Sequence, residues 1–282
     1  MTVADAYSPA WLQTDRPQPM YDKTVHRLYG KVFAENPGDN PRLAEDFKSE
    51  FLNWLGADRL NRISGYREGF LTDVCIGCTH YIDDLYHRVG GDGLQIFSGE
   101  YKYHWRLNPE IAYVTLETLR PGKELLISMP FAGIGDAHPQ MGAILERCLE
   151  LGIPAHIDAA WLGCARGLEF DFSHPAIASF AVSLSKALGI GGNRIGLRFT
   201  RRRPNGPITI MNDFGMNCQS LMHIGIAFMR ELGANYFWNK YAEAHARVCR
   251  DFSLQPTKAI HLAMREGHPV GIRPLLRYLS DR

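Results

Sequence analysis

No stretch of the sequence approaches the roughly 20 consecutive apolar residues that are needed to cross a bilayer. The N-terminus is polar and proline-rich, and it lacks the apolar core of a secretory signal. Neither sign of charge is in excess, because 31 Lys and Arg residues face 30 Asp and Glu residues. We therefore expect neither a nucleic acid nor a membrane as a partner.

Cysteine is sparse and shows no pairing pattern, since six residues are scattered along the chain. Cys75 and Cys78 have the spacing of a zinc or redox motif, but no second pair lies nearby, and we expect no metal site. Other cysteines, such as Cys148 and Cys249, lie in apolar runs where a buried, reduced thiol is normal. Together with the missing signal, this pattern predicts a cytoplasmic protein.

The sequence does contain enough apolar material for a large core, with 45% hydrophobic residues in 282. This length accommodates one large α/β domain and a smaller lobe. The predicted boundaries are 1–56 for an N-terminal arm and helix, 57–210 for the large domain and 211–282 for a reduced small lobe. Apolar runs predict strands at 70–76, 94–97 and 125–128, and an amphipathic pattern predicts a helix at 141–151.

The most informative stretch is 155–199, where short apolar runs lie beside polar and charged residues. Asp158 follows the first run, Ser183, Ser185 and Lys186 follow the second, and Arg194 precedes the third. Buried strands with polar residues at their ends are how α/β proteins build binding sites. We therefore expect these side chains to meet at one edge of a sheet.

These residue types suit one chemistry. A desolvated lysine amine can attack a carbonyl, an aspartate can keep a pyridine nitrogen protonated, and arginine with small hydroxyls can hold a phosphate. Each residue alone also has an ordinary interpretation as a surface lysine, a helix cap or a turn serine. The ordered set is what favours a functional interpretation.

This ordered set resembles the core motif of fold type I pyridoxal-phosphate enzymes of the aspartate aminotransferase superfamily, in an unusually short form. The arginine follows the lysine by eight residues, as in that family. The resemblance implies a three-layer α/β/α large domain with a mainly parallel sheet. It also implies that Asp158 pairs with the pyridine nitrogen of pyridoxal 5'-phosphate, that Lys186 carries the cofactor as a Schiff base, and that Arg194, Ser183 and Ser185 bind its phosphate.

Further roles follow from the same resemblance. Cys78 and Thr79 fall where the family has its phosphate loop, Tyr101 falls where an aromatic ring stacks on the cofactor, and His104 falls behind the aspartate. Near the C-terminus, Arg273 is the best match for the arginine that binds the substrate carboxylate, with Arg277 as the alternative.

Two positions depart from the family pattern, and both concern the groups that contact the phenolate oxygen of the cofactor. Trp161 stands where the family usually has a tyrosine, and an indole N–H can donate a hydrogen bond but cannot ionise. Ala132 aligns with the usual asparagine of the loop that follows the strand at 125–128. The electronic tuning of the cofactor is therefore expected to differ.

The expected function is an aminotransferase that acts on an amino acid and a keto acid through Lys186. The alternative is a pyridoxal-phosphate lyase, decarboxylase or cyclase of a specialised amino-acid pathway, and a non-catalytic relic is a third interpretation. We also expect a homodimer with active sites at the subunit boundary, in which the proline-rich arm and a methionine-rich helix near Met222 and Met229 form the interface.

Overall fold

The computed structural model describes residues 7–14, 17–35 and 38–280; parts of the predicted N-terminal arm lie outside this range. The helices of the described residues are α1 (Lys23–Phe33), α2 (Leu43–Gly56), α3 (Gly77–Val89), α4 (Tyr103–Leu107), α5 (Met141–Leu151), α6 (Leu184–Ala187), α7 (Pro207–Asp213), α8 (Gln219–Leu232), α9 (Tyr236–Asp251) and α10 (Arg273–Ser280). The strands are β1 (Arg62–Ser64), β2 (Leu71–Cys75), β3 (Leu94–Phe97), β4 (Ala112–Val114), β5 (Glu124–Ser128), β6 (Ala155–Ala159), β7 (Glu169–Asp171), β8 (Ile177–Ser183), β9 (Gly196–Thr200), β10 (Gln255–Pro256), β11 (Leu262–Arg265) and β12 (His268–Gly271).

The centre of the molecule is a seven-stranded sheet in the order β2-β9-β8-β6-β5-β3-β4. The pairs from β8 to β4 are parallel, whereas β9 is antiparallel to both β8 and β2. Smaller sheets join β1 to β7 and β10 to β11 and β12. The predicted α/β class with a mainly parallel sheet is confirmed.

Both faces of the central sheet are buried, as the alternation of side chains along its strands shows. On β5, Leu125 and Ile127 belong to the larger apolar cluster, while Leu126 between them belongs to a second cluster that includes Ile82 and Leu85 of α3. Successive side chains of a strand point to opposite faces. The sheet therefore separates two layers of packing, as a three-layer α/β/α arrangement requires.

The edge of the sheet that carries the site is set by this topology. The parallel strands β3, β5, β6 and β8 all end there, and β9, which runs the other way, begins there. Cys75 at the end of β2 pairs with Gly196 at the start of β9 and lies at the same edge. The loops that follow β2, β3, β5, β6 and β8 and the loop that precedes β9 therefore converge, as is usual for ligand sites in open α/β sheets.

The two ends of the chain pack against each other beside this edge. The backbone of Gln13 pairs with Gly271 through two hydrogen bonds of 2.9 and 2.8 Å. Met222 and Met229 of α8 are buried within the same chain. The described part of the arm and the methionine side chains thus contribute to the packing of a single chain, and the domain boundaries and the dimer stay predictions. Among the described residues, no helix combines the length and apolar content that a bilayer crossing requires.

Candidate active site

A cavity of about 560 Å³ opens at the carboxyl edge of the central sheet. Its walls bring together six of the residues predicted from the sequence, namely Tyr101, Asp158, Trp161, Ser185, Lys186 and Arg194. Other parts of the wall come from the N-terminal arm, through Pro17 and Pro19, and from the C-terminal segment around His261 and His268. The site is therefore formed by parts of the chain that are distant in sequence.

Lys186 lies in the short helix α6, which begins directly after β8. The Ser183 side chain caps this helix by accepting a hydrogen bond from the Ser185 N–H at 3.1 Å. The Lys186 side chain is half-buried, and its amine has no hydrogen-bond or ion-pair partner among the described residues. The end of an apolar strand thus delivers a lysine amine to the cavity.

Asp158 lies on β6 and is only 6% exposed. Its Oδ1 accepts a hydrogen bond from the Ala160 N–H at 3.0 Å. Burial, and then the nearby Asp158 carboxylate, raises the pKa of the Cys78 thiol well above its usual range. A carboxylate is thus held at the floor of the cavity beside a thiol that stays neutral.

His104 lies near Asp158 and is 1% exposed. Burial lowers its pKa to about 4, although the neighbouring Asp158 carboxylate opposes this change. Both ring nitrogens are enclosed and have no partner among the described residues. Buried polar atoms without partners are costly in a folded protein, and they often mark a functional site.

The predicted phosphate-binding residues surround Gly77 at the start of α3. Gly77 has a φ of +69°, and a Cβ at this position would lie 3.1 Å from Ser183 Oγ and 3.5 Å from Ser185 Oγ. Arg194 donates to Thr79 Oγ1 at the same place, and no side chain caps the start of α3. Free helical N–H groups, two hydroxyls and a guanidinium form a cup suited to a phosphate.

Cys78 is placed differently from its neighbours in this cup. Its thiol donates to the carbonyl of Ala181 on β8 at 3.3 Å, under the start of the helix. The Cys78 side chain therefore faces the sheet, and only the Cys78 backbone is presented at the start of the helix. The predicted contact of Cys78 with a phosphate can therefore involve only its backbone.

Tyr101 stands at the mouth of the cavity and is 39% exposed. Its ring stacks on that of Tyr103 at 5.8 Å, and Tyr103 in turn donates to Asp83 at 2.7 Å. A partly exposed aromatic ring in the same cavity wall as Asp158 is available to stack on a flat ligand.

Both departures from the family pattern lie in the cavity wall. The indole of Trp161 makes an edge contact with the His261 ring, with centroids 5.0 Å apart and an interplanar angle of 90°. Ala132 has no polar side chain, and its N–H donates to Ser128 Oγ at 2.9 Å. Neither side chain can therefore supply an ionisable donor to a ligand.

Arg273 is not part of the cavity wall. Its Nη1 donates to the carbonyl of Pro19 at 3.3 Å, and Pro19 itself lines the cavity. The guanidinium thus lies behind the arm, where burial, and then the charge of Arg277, lowers its pKa. Contact with a substrate carboxylate would need the arm to move, so this role stays a prediction.

Among the residues of the cavity wall that sequence reasoning missed are Glu100 and His261. Glu100 accepts hydrogen bonds from the Ser128 N–H at 2.6 Å and the Ser128 hydroxyl at 2.7 Å, and burial, with an added effect of Asp158, raises its pKa to about 7. His261 lies against Trp161. A carboxylate between Gly99 and Tyr101 was a usable signal for Glu100, whereas nothing near His261 in sequence links it to Lys186.

Comparisons with known proteins give structural matches only. No protein-family model matches the chain, and no curated protein matches it by sequence. Among solved structures, the chain is similar to tyrosine aminotransferase from Leishmania infantum, with 11% identity, 100% of this chain and 98% of that chain covered and a TM-score of 0.67. It is also similar to histidinol-phosphate aminotransferase from Sinorhizobium meliloti in complex with pyridoxal-5'-phosphate, with 18% identity, coverage of 86% and 72% and a TM-score of 0.58.

A third similar structure carries a different activity in its name. It is the PLP-bound C-S lyase from Staphylococcus hominis, with 12% identity, coverage of 89% and 73% and a TM-score of 0.58. At such identities, structural similarity establishes a shared fold. The chain has the fold of the pyridoxal-phosphate-dependent enzymes of fold type I.

Proposed function

We propose that this protein is a pyridoxal-phosphate-dependent aminotransferase that acts on an amino acid through Lys186. The observation that carries the proposal is a single cavity in which Lys186, Asp158 and Arg194 share the wall. These residues lie within or directly beside the adjacent strands β6, β8 and β9.

The residues present fit the cofactor. The cup around Gly77, where a Cβ would come within 3.1 Å of Ser183 Oγ, leaves room for a phosphate. Asp158 offers a carboxylate for a pyridine nitrogen, and His104 has enclosed ring nitrogens without partners beside it. Tyr101 offers a ring face at the opening.

When bound, pyridoxal phosphate supplies a protonated pyridine ring that accepts the electron pair left at the substrate Cα. Asp158 would hold the proton at the pyridine nitrogen, and His104, whose burial keeps it uncharged near Asp158, would not compete for the charge of the carboxylate. The Lys186 amine would hold the cofactor, and the same amine would serve as the base for the Cα proton of the substrate.

A lyase-type reaction is the second candidate. It is favoured by the cavity positions of Trp161 and Ala132, which cannot make the usual ionisable and amide contacts with the phenolate oxygen. The structural similarity to a C-S lyase is consistent with it. Decarboxylation and cyclisation belong to the same group of alternatives, because all of them regenerate the starting cofactor in each cycle.

The test of the anchoring residue is reductive trapping. Protein purified with pyridoxal phosphate should be yellow, borohydride should bleach it, and mass spectrometry should find the cofactor on the peptide that contains Lys186. Lys186→Ala should abolish trapping. Lys102, which also lines the cavity, provides the matched control, and Lys102→Ala should leave trapping intact. Cofactor fixed to Lys102, or unchanged trapping in Lys186→Ala, would contradict the proposal.

The reaction type is tested with single amino acids. An aminotransferase should lose its yellow colour with one or a few of them, and a 2-oxo acid should restore it. A lyase should instead consume substrate over many turnovers without bleaching and without an acceptor. The second result would exclude transamination while leaving the role of Lys186 intact.

We also propose a homodimer, in which a second copy would complete the enclosure of the cavity, and a cytoplasmic location, which is supported by the cysteines, since they form no disulfide among the described residues. Light scattering of the active protein tests the first point. A monomer that turns over substrate would contradict it.

A further inference from the structure

A second cavity, of about 430 Å³, lies at the edge of the central sheet opposite to the candidate active site. Its wall contains residues that precede β6 and β8, such as Ile153 and Ala176, and residues that follow β9, such as Arg201 and Arg202. β6 and β8 run toward the active-site cavity, and β9 runs away from it. The two cavities are therefore separated by the length of these strands.

The polar side chains that β5, β6 and β8 contribute to the second cavity bond to one another. His156 Nε2 donates to Glu124 Oε2 at 2.6 Å, and His156 Nδ1 lies 2.7 Å from Ser179 Oγ. The Ser179 hydroxyl also lies 2.7 Å from the Tyr81 hydroxyl. The hydrogen bond from His156, opposed by burial, lowers the pKa of Glu124, and the charge of Arg88 acts in the same direction. This chain of groups is complete without a ligand.

A hydroxyl beside this chain is not satisfied. Thr200 pairs with Ser179 across β9 and β8, so the two side chains share one face of the sheet. Thr200 belongs to the cavity wall and is 2% exposed, and its Oγ1 has no partner among the described residues. Buried polar atoms without partners are rare in folded proteins, and they often mark a functional site.

Two arginines of the wall carry charges that no carboxylate balances. Arg201 donates only to carbonyl oxygens, from Nε to Ile177 at 2.7 Å and from Nη2 to Ser173 at 2.7 Å and His174 at 3.1 Å. Arg202 is exposed and makes no hydrogen bond or ion pair with the described residues. Carbonyl groups are neutral, so both guanidinium charges remain available to an anion.

Arg88 places a third guanidinium at the same wall. Its Nε donates to Asp84 at 2.9 Å, and its two terminal nitrogens have no partner among the described residues. The stem of Arg88 packs on Gly206, where a Cβ would lie 2.7 Å from Arg88 Cδ. The segment from Arg202 to Gly206 therefore runs beside Arg88. One donor of Arg88 fixes the side chain, and the others are left for a ligand.

The rest of the wall decides what kind of ligand fits. Among the described residues that line the cavity, Glu124 is the only acidic one, so three guanidinium groups share the wall with one carboxylate. Much of the remaining wall is apolar, through side chains such as Leu149, Ile153, Pro154 and Pro204. A cavity of this volume takes a small molecule. An anion with an apolar part matches both the charge and the apolar surface.

We infer that the second cavity is a binding site for a small organic anion, whose carboxylate or phosphate group is bound by Arg88 and Arg202. Guanidinium groups bind either kind of group through paired, charge-assisted hydrogen bonds. The site is separate from the proposed active site, and the inference does not rest on the proposed function.

The test measures the affinity of three probes by saturation-transfer NMR on the protein purified with pyridoxal phosphate. Phenyl phosphate and benzoate carry the two candidate anionic groups on an aromatic ring, and benzyl alcohol carries the same ring without a charge. Both anions should bind, and benzyl alcohol should bind at least about tenfold more weakly, because it cannot form the charge-assisted hydrogen bonds.

Matched variants assign the binding to the cavity. Arg202→Gln removes an exposed charge without a partner in the fold, so the variant should fold normally and should bind both anions about tenfold more weakly. Arg106→Gln is the control, because it removes the same charge from an exposed residue that lines neither cavity and stacks on Trp105. It should leave both affinities unchanged.

The inference is overturned if Arg202→Gln binds phenyl phosphate as tightly as Arg106→Gln does, or if benzyl alcohol binds as tightly as benzoate. Arg194→Gln identifies binding at the phosphate cup of the active site. An affinity that is lost in Arg194→Gln and kept in Arg202→Gln would place the probe in that cup and would also overturn the inference. Failure of the proposed function gives a different result: the protein then takes up no pyridoxal phosphate, while the binding that depends on Arg202 remains.

Discussion

Replacing Arg198 by Met should destabilise the protein strongly, because this side chain is fully buried between two aspartates. Its Nη2 donates to Asp73 at 2.5 Å and to Thr209 at 2.8 Å, and its Nη1 donates to Asp84 at 3.1 Å. Asp73 belongs to β2 and Asp84 to α3, so the arginine on β9 ties three elements together. The loss of the guanidinium would leave two buried carboxylates short of a partner.

The structure sets the size of the effect. Breaking a buried ion pair by removing one partner costs about 3–5 kcal/mol. Here each aspartate keeps a second arginine, since Arg203 contacts Asp73 at 3.0 Å and Arg88 contacts Asp84 at 2.9 Å. We therefore expect the lower end, about 3 kcal/mol. Because α3 begins at the phosphate cup, weaker binding of pyridoxal phosphate should accompany the loss.

Urea unfolding followed by circular dichroism measures the change in the free energy of unfolding. The control is Arg62→Met, which removes an exposed pair with Glu169 whose side chains are 82% and 71% exposed. Exposed pairs contribute less than about 1 kcal/mol. If Arg198→Met lost as little unfolding free energy as the control, the argument that this buried ion-pair network stabilises the fold would be refuted.

Three further expectations concern stability. Gly196→Ala should unfold more easily, because a Cβ there would lie 2.2 Å from the Val182 carbonyl oxygen; a thermal melt equal to that of the unaltered protein would contradict this. Burial alone would raise the pKa of Asp22, but hydrogen bonds from Lys240 and other donors lower this pKa overall. The Asp22 carboxylate therefore stabilises the fold above its unfolded pKa, and this contribution is lost as pH falls. Asp22→Asn should therefore make the free energy of unfolding fall less steeply at acid pH. An unchanged fall would show that Asp22 does not contribute to it. The effect of Glu100 on stability has the opposite dependence on pH, because burial raises its pKa to about 7. The unaltered protein should lose stability relative to Glu100→Gln as pH rises from about 4 toward 7. Parallel plots of unfolding free energy against pH for the two proteins would contradict this.

The sequence by itself determined the order of the site. Each apolar run at 155–199 forms a strand. Asp158 lies within β6, Lys186 lies three residues after the end of β8 and Arg194 lies two residues before the start of β9, so local spacing carries all three to one edge. The helix at 141–151 and the strand at 94–97 were predicted with their observed bounds for the same reason. Hydrophobic periodicity is a local property, and it can be recognised without knowing the fold.

Only the tertiary structure decided which distant segments complete the cavity. Glu100 meets Ser128 across 28 positions, and His261 meets Trp161 across a hundred, through loops whose conformations no local pattern specifies. Arg273 was placed near the site by its position in the chain, yet the arm at Pro19 lies between its guanidinium and the cavity. Contacts of this kind depend on how packed elements meet in space, because the burial and hydrogen bonding that select them exist only once the sheet and both chain ends have come together.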